Sequence, residues 1–173
     1  MDQLTLQFST TSWAGSGAIR IATRSDFSHV DVVIPPGIAG LENLTPKPYG
    51  LLGAAEPGGV QIRPPDYQRF IHKRQLTLVT DKAGAIIKAL ATQIGKPFDH
   101  DALKRVFDPN FRDWEDNGKW YCAELVMWGL LEGDYFAHRS YPVNISIGHV
   151  TPEDILGVLA GDYDPAQFVK DIP

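Results

Sequence analysis

Leu4, Leu6 and Phe8 stand at every second position with polar residues between them, which predicts a strand with one buried face. The same period returns between His29 and Ile34. Val30, Val32 and Ile34 take one face and His29, Asp31 and Val33 the other, so His29 falls on the less apolar side. Pro35-Pro36-Gly37 ends that strand, and a Gly/Pro-rich loop follows over residues 37–49. Tyr49 to Ala55 and Val60 to Arg63 read as two strands joined through Pro57-Gly58-Gly59 as a hairpin, which Pro64-Pro65 stops. Gln75 to Val79 alternates once more and predicts a further strand.

Helical spacing then takes over. Ala83, Ile86, Ile87, Leu90 and Ile94 recur on one face, with Thr80 as the expected cap and Gly95 and Pro97 as the stop. Tyr121 to Glu132 predicts an apolar helix closed by Gly133. Thr151-Pro152-Glu153-Asp154 has the cap residue, the first-turn proline and the acids that start another, ending near Ala160-Gly161. Short helices are expected from Ser16 to Thr23 and from Asp101 to Phe107, and a strand near Val143 to Ile147. Strands come first and helices second, an order that indicates α+β: an antiparallel sheet with helices packed against it. With no internal repeat and no linker, residues 1–160 are expected to form a single domain and residues 161–173 a tail.

Composition narrows the function. A chain of 173 residues with 43% apolar and 21% charged residues is globular, not disordered. A net charge of −5 without any basic run disfavours nucleic-acid binding. The N-terminus lacks a basic-then-apolar leader and no stretch approaches the length of a membrane span. The cytoplasm is therefore the expected location, with export by a non-standard route left open, and no integral membrane association is expected. The single cysteine excludes an internal disulfide and multi-cysteine metal sites.

That cysteine carries the candidate chemistry. Cys122 sits where a turn-rich stretch gives way to an apolar helix, and the partial positive charge of a helix N-terminus favours thiolate over thiol. Unpartnered first-turn amides there suit the oxyanion of a tetrahedral intermediate. His29, at the head of its strand, is the candidate base. Glu56, just past the strand beside it, is the candidate for orienting the imidazole, while Glu124 is expected to bond neighbouring backbone or an arginine. His149 is the other histidine expected near the cleft. Trp13, Trp114, Trp120 and Trp128 are expected in core and cleft lining, and loops 36–50 and 107–119 are expected to frame the cleft. Gly15-Ser16-Gly17 lacks the third glycine and the acid of a dinucleotide fingerprint, and Asp99-His100-Asp101 lacks a second histidine at ligand spacing. Neither cofactor nor metal is expected.

Ser28-His29-Val30 on a strand, the hairpin ending Gly58-Gly59-Val60, Gly95-Lys96-Pro97-Phe98-Asp99, and Tyr121-Cys122-Ala123-Glu124-Leu125-Val126 together resemble the circularly permuted, YiiX-like branch of the NlpC-type cysteine peptidases. That branch is related to the lecithin:retinol acyltransferase-like proteins. Histidine precedes cysteine here, as in the permuted branch, and the resemblance spans roughly Trp13 to Leu156. It implies a papain-like fold with an antiparallel, partly barrel-like sheet, Cys122 as nucleophile and His29 as its base. Tyr121, Trp13 and Ser28 would then surround the cleft and oxyanion pocket. Aligned on Gly59-Val60, Ala54 stands where that branch often carries an acid, and Glu56 follows two residues later. The implied function is a thiol hydrolase that cleaves an amide (peptide, isopeptide or cell-wall peptide) through a thioester. The alternatives are a lipid esterase or acyltransferase using the same pair, or a non-catalytic binding module. The expected partner is a peptide or acyl substrate.

Overall fold

The computed structural model describes residues 3–11, 16, 17, 20, 21, 25–101, 118–140, 143, 145 and 147–162. Five strands form one sheet: β1 (Gln3–Thr11), β2 (His29–Ile34), β3 (Gly50–Ala55), β4 (Gly59–Arg63) and β5 (Phe70–Val79). Their order is β4-β3-β2-β1-β5, with every neighbouring pair antiparallel. Three helices follow among the described residues: α1 (Ala83–Ala91), α2 (Cys122–Glu132) and α3 (Pro152–Leu159). The architecture is α+β. The sheet is open, with β4 and β5 as its two edges, so the barrel-like closure expected from the sequence is not made by these strands.

The alternation in β1 and β2 divides the sheet into two chemically different faces. Leu4, Leu6, Phe8, Val30, Val32 and Ile34 are fully buried in the core with Ile86, Leu90, Leu125 and Leu130 of the helices. Burying each such side chain stabilises the fold by about 1.5–3 kcal/mol before entropy is counted. On the other face Gln7 pairs in register with Asp31 and Ser9 with His29, and all four are buried. A buried polar face costs free energy unless its groups find partners, so this face is the place to look for chemistry.

Local signals differ from the sequence reading at several ends. β5 begins at Phe70, five residues before the expected Gln75, because Thr11 to Ser9 of β1 pair with Phe70 to Lys73. α1 begins after Lys82, although the Thr80 hydroxyl accepts from the Lys82 amide. α3 carries the expected capping box, Thr151 with Asp154. Ile147–His149 forms a 3-10 turn where a strand end was expected. The expected helix from Asp101 to Phe107, most of the helix from Ser16 to Thr23, and residues 163–173 of the expected tail lie outside the described residues. No helix among the described residues is long and apolar enough to cross a membrane.

The segment Gly95–Asp99 brings the two halves of the chain together. The Val60 amide donates to the Lys96 carbonyl and the Gly95 amide to the Val60 carbonyl, each at 2.9 Å. A side chain at Gly59, where φ is +71°, would overlap that Lys96 carbonyl, so only glycine fits. Farther along, Trp120 donates to Pro97 and Asp99 to Trp120. The edge strand β4 is thereby tied to the residues immediately before Cys122.

Candidate active site

Cys122 is the first residue of α2, with Tyr121 as its extended N-cap. The Glu124 carboxylate accepts the Tyr121 amide at 3.2 Å, the reciprocal half of a capping box, so Glu124 bonds neighbouring backbone as the sequence suggested. Tyr121 is not a cleft residue. Its hydroxyl donates to the Val150 carbonyl at 2.9 Å and reaches that of Ile147, and its ring is 2% exposed. It ties the start of α2 to the turn before α3, and burial followed by the charge of Glu124 raises its pKa and keeps it protonated.

The sulfur faces β2. Cys122 Sγ lies 4.0 Å from the Ser28 carbonyl, and its charge and hydrogen bonding both act on the His29 ring. Thus strand and helix, 93 positions apart in sequence, bring an imidazole to a thiol. Cys122 is 6% exposed and His29 8%, and both open onto one cleft of about 560 Å³.

The acid beside the ring is Asp31, not Glu56. Asp31 Oδ1 lies 3.0 Å from His29 Nε2, and the carboxylate is fully buried. Two residues apart on one strand, the pair shares a face. Gly53 makes the room for it, since a Cβ built there would overlap Asp31 Oδ1. Glu56 lies beyond the end of β3 and pairs instead with His100 Nε2 at 2.5 Å, in water at the cleft mouth. The physical reason is reach: Glu56 has left the strand, whereas Asp31 is fixed beside the ring by the pleat.

Burial opposes a charge on His29. The charge of Asp31 and then that of Cys122 outweigh it, and the pKa is pushed up from 6.5 to about 10. Tyr67, in the loop before β5, completes the surroundings. Its hydroxyl lies 2.9 Å from His29 Nε2 and donates to Asp31 Oδ2 at 3.3 Å, while Gln68 Nε2 donates to it at 2.9 Å. With Nε2 so engaged, Nδ1 is the ring nitrogen left for the sulfur.

One cleft wall is hydroxylic: Ser16 Oγ and Ser28 Oγ share a hydrogen bond of 2.5 Å, and the Thr11 amide donates to Ser16. Ala55, Pro57 and Phe98 add apolar lining, and the solvent-exposed Glu56 and His100 also line the cleft. Ser28 is therefore at the cleft as expected, and Trp13 lies outside the described residues. Loop 36–50 and His149 supply none of the described lining, and most of 107–119 is not described. Trp120 is buried in the core, its ring tilted against that of Trp128 with centroids 5.2 Å apart. Sequence reasoning missed Asp31, although its shared face with His29 was visible, and Tyr67, for which only the preceding proline turn gave a signal.

No family model matches the chain, and no curated relative does. Among solved structures it is similar to the crystal structure of metalloprotein yiiX from Escherichia coli O157:H7. The two are 15% identical with a TM-score of 0.55, over 98% of this chain and 86% of that one. The fold is accordingly a YiiX-like α+β fold. The neighbour is called a metalloprotein, yet among the described residues no group of three or more His, Cys, Asp or Glu side chains stands where it could hold a metal ion.

Proposed function

We propose that the chain is a cysteine-nucleophile acyl hydrolase of the permuted, papain-like NlpC type, cleaving an amide through a thioester. The observation that supports this reading best is that Cys122 and His29 open onto one cleft with Asp31 buried beside the ring. His29 holds a proton at neutral pH beside a carboxylate on one side and a sulfur on the other, which suits a thiolate–imidazolium pair. The thiolate attacks the acyl carbon and the carbonyl oxygen takes the negative charge. First-turn amides of α2 stabilise that oxyanion. As the tetrahedral intermediate collapses, the imidazolium gives its proton to the departing nitrogen, leaving a thioester and a neutral ring. The ring then takes a proton from water, whose oxygen attacks the thioester, and the acid leaves as the thiolate–imidazolium pair reforms.

The apolar wall of Ala55, Pro57 and Phe98 favours one second reading, a lipid ester as acyl donor with the same nucleophile. Intact-mass measurement after incubation with mixed cell-wall peptides and lipid esters distinguishes them. A mass added on Cys122 from a peptide supports amide cleavage, and one from a fatty acyl group supports the ester. No adduct with either, and thiol labelling unchanged by His29→Ala, would end both readings and leave a binding module.

A further inference from the structure

Tyr67 reaches the site through the turn that follows β4. The Tyr67 amide donates to the Pro64 carbonyl at 3.1 Å, closing a turn over Pro65-Asp66, with proline at the position that favours such turns. The chain leaves β4, doubles back and lays the phenol against the polar face. There the ring packs edge-on against Phe70 with centroids 5.5 Å apart, and the Arg63 guanidinium sits 5.3 Å from its centre. Arg63 is buried and donates to the carbonyls of Gly53, Ala55, Pro57 and Gly59. The phenol is therefore held from three sides.

The hydrogen bonds around it allow one consistent assignment. A carboxylate only accepts, so the phenolic proton goes to Asp31 Oδ2. The phenolic oxygen then accepts from Gln68 and from the protonated His29 Nε2. Asp31 Oδ1 lies 3.0 Å from Nε2 without a well-formed hydrogen bond to it, and acts on the ring first through its charge. Charge passes between Asp31 and His29 directly, whereas direction passes through the phenol. We propose that Tyr67 is a positioning residue that relays Asp31 to His29, fixing the proton on Nε2 so that Nδ1 faces Cys122. This rests on the acyl-transfer reading above. The charged and titratable groups around the ring are Asp31 on its own strand, Tyr67 from the β4–β5 loop and Cys122 from α2, with Arg63 of β4 one contact away. Burial, and then Asp31, hold Tyr67 well above its usual pKa, so it stays a donor.

Tyr67→Phe keeps the ring and removes the relay. The experiment follows histidine side-chain nitrogen resonances and the rate of Cys122 alkylation by iodoacetamide from pH 5 to 10, in wild type, Tyr67→Phe, Gln68→Leu and His29→Asn. Thermal unfolding checks that each variant is folded. Tyr67→Phe is expected to lower the His29 midpoint by about one unit and, because the ring stays charged at pH 7 but loses its fixed orientation, to slow labelling there about tenfold. Gln68→Leu, which leaves the phenol in place, is expected to shift both in the same direction by less. If the His29 midpoint and labelling rate in both variants match wild type while His29→Asn abolishes fast labelling, the relay is refuted and the hydrolase proposal stands. If His29→Asn labels as fast as wild type, both fall.

Discussion

His29 and Asp31 sit two residues apart on β2, and the carboxylate of one lies 3.0 Å from the Nε2 of the other. Asp31→Asn keeps the shape and removes the charge. Labelling of Cys122 at pH 7 and turnover of any accepted acyl donor are expected to fall by roughly 10²–10⁴-fold, the range of a positioned acid–base group. A change under threefold, with the fold intact, would take Asp31 out of the site.

Glu56→Gln separates the two acids. Its carboxylate is half-exposed and paired with an exposed His100. Stability is expected to change by less than about 1 kcal/mol, and iodoacetamide labelling to stay within about threefold of wild type. Denaturant titration and labelling kinetics check this. A loss as large as that of Asp31→Asn would restore Glu56 as the orienting acid.

Gly53→Ala tests the room made for Asp31. The new methyl overlaps the carboxylate oxygen, so the side chain or strand must shift, at a cost of about 1–3 kcal/mol. Thiol labelling is expected to slow along with the loss of stability. A variant as stable and as reactive as wild type would show that Asp31 has freedom that the packing denies it.

The raised pKa of His29 fixes the sign of one pH dependence. A group that binds its proton more tightly when folded stabilises the fold fully below its unfolded value, here 6.5, and loses that contribution as pH rises through about 10. The pH-dependent part of the difference in Tm between wild type and His29→Asn is therefore expected to be largest below pH 6.5. It should shrink steadily above that and vanish near pH 10. A difference that grows with pH over that interval would contradict the assignment of the ring as charged.

Sequence patterning revealed the strand of His29, the helix start at Cys122 and the capping box at Thr151, because each depends on neighbouring residues alone. The early start of β5 was hidden because its first residues are partly solvated and do not alternate cleanly; pairing with β1 holds them. The acid beside the His29 ring was half legible. Period two already put Asp31 on the face of His29, but choosing it over Glu56 requires Gly53 opposite and the turn that carries Glu56 toward His100. Tyr67 was least legible. Pro64-Pro65 announces that a strand stops, while the direction in which the chain returns is set by packing on Phe70 and Arg63.

Arg63 grips the backbone of the turn between β3 and β4 from behind, leaving the side chains of Glu56 and Pro57 on the cleft side. If the chain is the acyl hydrolase proposed above, what it accepts and how it reacts would occupy separable parts of the molecule. Substitution at those two rim positions would then alter the cleft's lining while the guanidinium keeps the loop's contour.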